Sequence, residues 1–285
     1  MRFSINIPNF GDFADPRAVA RVAEAAEQAG WDGLFVWDHL LHRRHGDRPF
    51  GDPWMLLTAA ALATSRIRLG TLVTPVARRR PQQLARQIAT LDHLSGGRVT
   101  FGAGLGGPVE DEYGAFGDVT DPVELAGRLD EGLELLGRFW SGSPVTHSGT
   151  HYWVADVTLN PATVQQPRPP VWVAGFWPNR RPMRRAARWD GAVPLFLSAR
   201  HGVVPPLDEV RALVAYLRDQ REGTEPFEIV LGGATPGDPG RAADVIGPLR
   251  DAGATWWDER QLQSGPDLDS LPAVMRRIEQ GPPAL

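Results

Sequence analysis

Residues 66–107, RIRLGTLVTPVARRRPQQLARQIATLDHLSGGRVTFGAGLGG, contain a complete strand, helix and second strand, which restricts the chain to folds built by repeating that unit. Ile67 to Val73 is a largely apolar run of strand length, and Pro75 and Pro81 punctuate the arginine-rich connection after it. Pro81 suits the first position of a helix, where its missing N–H breaks no hydrogen bond. Leu84, Ile88, Leu91 and Leu94 then recur at three- and four-residue spacing and give the helix one apolar face. Ser95-Gly96-Gly97 supplies a flexible stop, and Val99 to Gly104 re-enters as a glycine-rich strand.

The same rhythm runs through the whole chain. FSINI, GLFVW, IRLGTLV, VTFGAG, PVWVA, AVPLFL, FEIVLG and ATWW are strand-like runs that alternate with helical ones. Eight such strands predict an α/β fold, a single (β/α)8 TIM barrel, and the 285 residues are close to the roughly 250 of one such barrel. One domain over residues 1–285 is therefore expected. Four helices are expected to begin at Asp15-Pro16, Asp52-Pro53, Asp121-Pro122 and Asp238-Pro239, with aspartate capping free N–H groups. The first carries Val19, Val22 and Ala26 inward and stops at Gly30, and the third carries Leu125, Leu129, Leu133, Leu136 and Trp140. Residues 141–170 break the alternation and read as an inserted hairpin around Ser148-Gly149, followed by a proline-rich segment.

No stretch approaches the roughly 20 apolar residues that span a bilayer, and Met1-Arg2 leads straight into a strand. A soluble protein with no membrane partner is expected, cytoplasmic by default. The absence of cysteine excludes disulfides and thiolate chemistry. A net charge of -4 argues against nucleic acid as a partner. Every one of the 30 basic residues is arginine, which suits forked contacts to phosphate or carboxylate and equally reflects genomic bias.

VWDHL at 36–40, RIRLGTLVTP at 66–75, LDHLSGGRVTFGAGLG at 91–106, LLGRFWSG at 135–142, VQQPRPPVWVAG at 164–175 and RRAARWDG at 184–191 occur in an order and spacing hard to mimic. Through them nearly the entire chain resembles the bacterial luciferase-like group of flavin- and deazaflavin-dependent oxidoreductases. The resemblance implies a TIM barrel that binds FMN or the deazaflavin F420, with hydride or oxygen chemistry at the ring. Members of the group often pair through helices flanking the barrel, so a homodimer is also expected.

Barrel physics independently selects the loops after the carboxyl ends of the strands. His39 is the histidine placed directly at such an end, where imidazole can donate to a ring nitrogen or shuttle a proton. In deazaflavin-using members a histidine in the matching Asp-His pair contacts the cofactor, and Asp38 either orients His39 or caps a turn. The resemblance also implies a bulge at Leu72-Val73 with a non-proline cis peptide against the ring. GAGLGG at 102–107 has the spacing of a dinucleotide fingerprint, but Pro108 and an acidic loop follow it, so a Rossmann reading fails. Gly104, Gly106 and Gly107 instead let cofactor lie close to backbone or serve tight packing. Sugar-phosphate dehydrogenases of the group carry a glutamate where Gly107 falls, which leaves Glu110 or Glu112 of the loop as substitutes. Glu110 is the first candidate, against a reading of both as solvated charges.

Further cofactor contacts are expected from Asn9 and from the turn Gly175, Phe176, Trp177, Asn179, Arg180 and Arg181, where a helix start and arginine forks suit phosphate. Arg78, Arg79 and Arg80 read as exposed charge or as a contact for an acidic cofactor tail. Trp37, Trp54, Trp256 and Trp257 are candidate linings of an apolar pocket for a small organic substrate, although neighbouring Trp256 and Trp257 must point to opposite sides of a strand. The expected function is hydride exchange between F420 or FMN and that substrate, the Asp-His pair favouring F420 and Gly107 weakening the preference. An FMN-dependent monooxygenase is the nearest variant. A non-catalytic flavin-binding barrel is another class, as is a metal-dependent hydrolase using Asp38, His39, His42 and His45. The hydrolase ranks low because FSINIPNF lacks an inward His-x-His, so no metal is expected.

Overall fold

A computed structural model of the chain describes residues 1–43, 46–199, 201–236, 239–261 and 265–285. Eight parallel strands close into a barrel in the hydrogen-bonded order β1 (Arg2–Ile7), β10 (Trp256–Arg260), β9 (Glu228–Gly233), β8 (Gly191–Phe196), β7 (Val171–Trp177), β4 (Val99–Gly104), β3 (Arg68–Pro75) and β2 (Gly33–Val36). These are the eight runs expected from the sequence. The inserted antiparallel hairpin, β5 (Val145–Ser148) and β6 (Trp153–Val157), stands outside the barrel. It hangs from α5 (Pro122–Trp140), whose Glu131 carboxylate accepts from His147 Nε2 at 2.8 Å and from the backbone N–H groups of His151 and Tyr152 at 2.9 and 2.8 Å.

The helices start where aspartate precedes proline. Asp15, Asp52 and Asp121 cap α1 (Pro16–Gln28), α2 (Pro53–Ala63) and α5 by accepting from N–H groups in the first turn. Each such cap stabilises its helix by about 1 kcal/mol. The helix α8 (Pro239–Asp251) is present, while Asp238 of the fourth pair lies outside the described residues. The helix α3 (Pro81–Ser95) ends on Gly96 and Gly97, both at positive φ (65° and 84°). Its inner face is Leu84, Ile88 and Leu91, but Leu94 is 44% exposed, because it falls at the edge of that stripe and Asp92 and Ser95 take the buried positions of the last turn.

Residues alternate between the two faces of a regular strand. Val171, Val173 and Trp177 pack outward with the helices, whereas Trp172 and Ala174 join Phe35, Leu72, Val193, Val230 and Trp256 inside the barrel. Gly175 belongs to the outward set, and a Cβ there would collide with Pro182 at the start of α6 (Arg180–Ala186). Arg185 of α6 is buried and forks onto Asp130 of α5 at 2.7 and 2.9 Å, which ties those two helices together.

Candidate active site at the carboxyl end of the barrel

The loop after β2 carries Trp37, Asp38 and His39. Asn9, fully buried beyond β1, fixes that loop through both functions of its side-chain amide: Nδ2 donates to the carbonyls of His39 and Gly51, each at 2.8 Å, and Oδ1 accepts from His39 N–H at 3.1 Å. Asn9, expected as a cofactor contact, is thus committed to holding the backbone of His39.

Asp38 does not touch His39 through its carboxylate. Its oxygens are taken by Thr74 Oγ1 at 2.8 Å, by Arg79 Nε and Nη2 at 3.1 and 2.8 Å, and by Arg78. Arg78 and Arg79, expected as exposed charge or as a contact for an acidic cofactor tail, are turned inward onto a buried carboxylate. Asp38 organises the connection after β3, and the orienting role expected of it falls elsewhere.

That role belongs to Glu112. The short helix α4 (Val109–Glu112) exposes Glu110 and buries Glu112 completely, with Glu112 Oε1 2.7 Å from His39 Nδ1. The other carboxylate oxygen of Glu112 forms an ion pair with Arg78. Glu110, the first candidate for an acid after β4, lies on the outer side of that single helical turn, against Gly114, and Glu112 is the one that faces inward. Burial pushes the His39 imidazole down to about 4, with the Arg78 guanidinium acting in the same direction and Asp38 and Asp111 opposing. The neutral ring is then the working form, its Nδ1–H directed to Glu112 and its Nε2 left as an acceptor.

A second histidine, which sequence reading missed, sits beside the first. His201 follows β8, and its ring lies 4.7 Å from that of Trp37, edge to face, while His39 lies 5.6 Å from the same indole. Burial, then Arg260 and His39, hold His201 well below the usual histidine range. Trp37 Nε1 donates to Asn6 Oδ1, and Asn6 Nδ2 donates at 2.9 Å to Asp258 inside the barrel. Asp258 also accepts from Ser4 Oγ at 2.7 Å and Arg260 Nε at 2.7 Å. Burial raises the Asp258 carboxyl, against the lowering effect of Arg260 and the two hydrogen bonds.

The strand β3 is irregular where the site needs space. Its register against β4 shifts between Thr71 and Thr74, and the Leu72–Val73 peptide is cis, as the resemblance implied. A Cβ on Gly104 would sit 2.7 Å from Val73 Cγ2, and one on Gly106, whose φ is +77°, would sit 2.6 Å from Pro75 Cγ. Those two glycines accommodate the irregular backbone of β3. Gly107 is exposed, with nothing near its missing side chain.

Other expected site residues are brought elsewhere. Trp256 begins β10 and so lies at the amino end of the barrel, paired in register with Arg2. Trp257 faces outward and donates from Nε1 to Thr235 Oγ1 at 2.9 Å. Trp54 starts α2 and packs against Phe101 in the outer layer, with ring centroids 6.2 Å apart. None of these three tryptophans is at the mouth, because β10 extends to Arg260 and the others sit on outward faces. At the carboxyl end of β7, Phe176 is on the inward-facing set and is 47% exposed, whereas Trp177 is buried outside. Arg180 stacks over Trp177 at 4.5 Å and over Tyr216 at 4.3 Å, leaving Asn179 and Arg181 exposed. Among the described residues no three His, Asp or Glu side chains are grouped to hold a metal; His45 of the hydrolase reading lies outside them.

Comparison with known proteins follows the same lines. A family model described as luciferase-like monooxygenase matches residues 1–245. The chain is 40% identical over 147 residues to an F420-dependent glucose-6-phosphate dehydrogenase of Beutenbergia cavernae, covering 50% of this chain and 43% of that protein. It therefore spans less than half of that relative's length. A monooxygenase from Streptomyces bottropensis has a similar structure, with a TM-score of 0.78 at 24% identity over 98% of this chain and 97% of that one. The F420-dependent tetrahydromethanopterin reductase of Methanopyrus kandleri gives a TM-score of 0.75 at 18% identity over 98% of both chains. At these identities the two structures share the fold.

Proposed function

This chain belongs to the luciferase-like monooxygenase family, and on that premise we propose that it is an F420- or FMN-dependent oxidoreductase acting on a small organic substrate. Residues 1–285 would serve as one catalytic domain, with the reaction at the carboxyl end of the barrel. The observation that carries the reading is the buried succession His39, Glu112, Arg78 beside the irregular stretch of β3. The surroundings fit a planar ring: Gly104 presents no side chain against Val73, and Trp37, His39 and Phe176 supply uncharged surface at the same end.

When bound, the cofactor supplies the hydride chemistry. The chain supplies orientation and a proton route. Glu112 fixes the tautomer of His39, so that Nε2 accepts a proton from a hydroxyl undergoing oxidation, or returns it in the reverse direction. Arg78 balances the charge of Glu112 and, together with burial, favours the neutral form of His39. The identity to a named F420-dependent dehydrogenase supports F420 ahead of FMN. Phe176 near the carboxyl end of β7, and Leu40, Phe116, Leu197 and Val203 beyond the carboxyl ends of strands, are all exposed and suit a substrate with an apolar body better than a sugar phosphate.

No helix among the described residues is long and apolar enough to cross a membrane. The proposed setting is cytoplasmic, and the proposed assembly a homodimer, supported by the apolar helix α2, whose Met55 and Leu62 are exposed on its outer side. Fluorescence titration with F420 and with FMN tests the central reading, alongside a His39→Ala variant. Saturable binding of F420, with hydride transfer lost in the variant, is expected; binding of FMN alone would move the monooxygenase reading ahead, and binding of neither would overturn both.

A further inference from the structure

The opposite end of the barrel holds a cavity of about 320 Å³, within the range of small-molecule sites. Its inner wall is the amino-end level of inward residues: Arg2, Arg68, Thr100, Trp172, Glu228 and Trp256. Pro167, Arg168, Pro170, Asp190 and Pro226 form its rim. Phe35, Leu72, Val193 and Val230, with the hydrogen-bonded Ser4 and Asp258, occupy the barrel interior between this cavity and the mouth, so the two ends are separated by buried side chains.

Such a level is ordinarily filled by branched aliphatic side chains. Here it carries charge. Arg2 pairs with Glu228 and lies 4.7 Å above the Trp256 ring, and Arg168 pairs with Asp190. Arg68 has no carboxylate partner among the described residues. Its Nε donates to Thr100 Oγ1 at 2.8 Å, and its Nη2 donates to Val99 O and Gln165 Oε1 at 2.9 and 3.0 Å. Gln165 in turn reaches the buried carboxylate of Asp92, so that charge meets Arg68 only through an intervening amide. Nη1 of Arg68 makes no hydrogen bond among the described residues, and the guanidinium is held rigidly by its neutral acceptors. Three guanidinium groups against two carboxylates leave one positive charge, on the side chain with donors to spare.

We propose that this cavity binds a small organic oxyanion, a carboxylate or phosphate of one negative charge, with its oxygens on Arg68 and Arg168 and its apolar part against Pro167, Pro170 and Pro226. The site is remote from the proposed redox centre and does not depend on that reading.

Isothermal titration of the cofactor-free protein with benzoate and with inorganic phosphate tests it, benzamide serving as the uncharged counterpart. One equivalent of at least one oxyanion is expected to bind with Kd below about 1 mM, and benzamide not to bind. Arg68→Gln should weaken the oxyanion at least about tenfold while leaving the F420 or FMN titration unchanged. Arg168→Gln, a rim substitution that leaves Asp190 facing the cavity, should weaken it in the same direction and keeps the test decisive if Arg68→Gln does not fold. The proposal is overturned if neither oxyanion saturates, if the folded variants bind as the native protein does, or if F420 or FMN displaces the oxyanion.

Discussion

His39 Nδ1 lies 2.7 Å from Oε1 of Glu112, a carboxylate with no exposure to solvent. One short contact thereby joins the loop after β2 to the loop after β4, and Arg78, just beyond β3, closes the group from the third side. Replacing Glu112 by Gln keeps the shape but removes the charge that Arg78 faces. The variant is expected to lose about 3 kcal/mol or more of stability, as for one partner removed from a buried pair, and to lower kcat by at least about tenfold. Glu110→Gln, on the exposed side of the same turn, should change neither by more than about 0.5 kcal/mol. Urea denaturation and steady-state kinetics on the two variants side by side check this; equal behaviour would remove Glu112 from the site.

The depressed titration of His39 makes a prediction about acid stability. Its folded value is about 4 against 6.5 for the free side chain, so below pH 6.5 the unfolded chain takes up a proton that the folded chain refuses. The associated stability is complete above pH 6.5 and is lost as pH falls toward 4. Between pH 7 and pH 5 this one group is expected to cost about 2 kcal/mol. His201, depressed in the same direction, adds to the fall. Denaturant midpoints at the two pH values should differ, and the difference should shrink in His39→Gln; an unchanged difference would show that His39 titrates normally.

The barrel was legible because each strand is a short run bounded by glycine or proline, and because aspartate before proline marks helix starts with a physical mechanism. Position along the chain also selected His39 at the mouth. The electrostatic partners were not legible, since Glu110, Asp111 and Glu112 occupy one turn and only the direction of that turn decides which is buried. Arg78 and Arg79 looked like surface charge because their partner Asp38 lies on another strand's loop, and His201 approaches Trp37 only once the barrel closes. Trp256 and Trp257 were both candidates for the mouth, but the strand continues beyond them through the polar residues Asp258, Glu259 and Arg260, which leaves Trp256 at the amino end. A run of charged residues does not read as strand unless its neighbours inside the barrel are known to satisfy it.

Gly104 offers a test of the irregular stretch of β3. An added methyl would meet Val73 Cγ2 at 2.7 Å, so Gly104→Ala must displace that side chain or the backbone bearing it. Overpacking of this kind costs about 1–3 kcal/mol. The proposed cofactor surface shifts with it, so affinity for F420 or FMN is expected to fall at least about tenfold. Gly107→Ala, with open space around it, should leave both unchanged. Parallel melting curves and cofactor titrations separate the two, and native affinity in folded Gly104→Ala would detach this wall from the cofactor.

Far from the site, Glu27 closes the connection between α2 and β3. Its carboxylate accepts from the backbone N–H groups of Ser65, Arg66 and Ile67, at 3.0, 2.6 and 2.7 Å. Burial pushes the carboxyl up, but the three backbone donors and the Ser65 hydroxyl outweigh it and hold the group at about 2 against 4.5. For a depressed carboxyl the sign is opposite in origin to that of His39 and identical in direction. The stabilisation is present above pH 4.5 and disappears as pH falls through 2, when the folded state must also accept the proton. Glu27→Gln is expected to lose about 1–2 kcal/mol at pH 7, because the neutral amide oxygen retains part of the hydrogen bonding while the charge-assisted component is lost. The loss should shrink between pH 4.5 and pH 2, where the native carboxylate becomes protonated as well. Urea titrations of the native protein and the variant across that range check the convergence; a constant gap would mean that Glu27 acts through its shape alone.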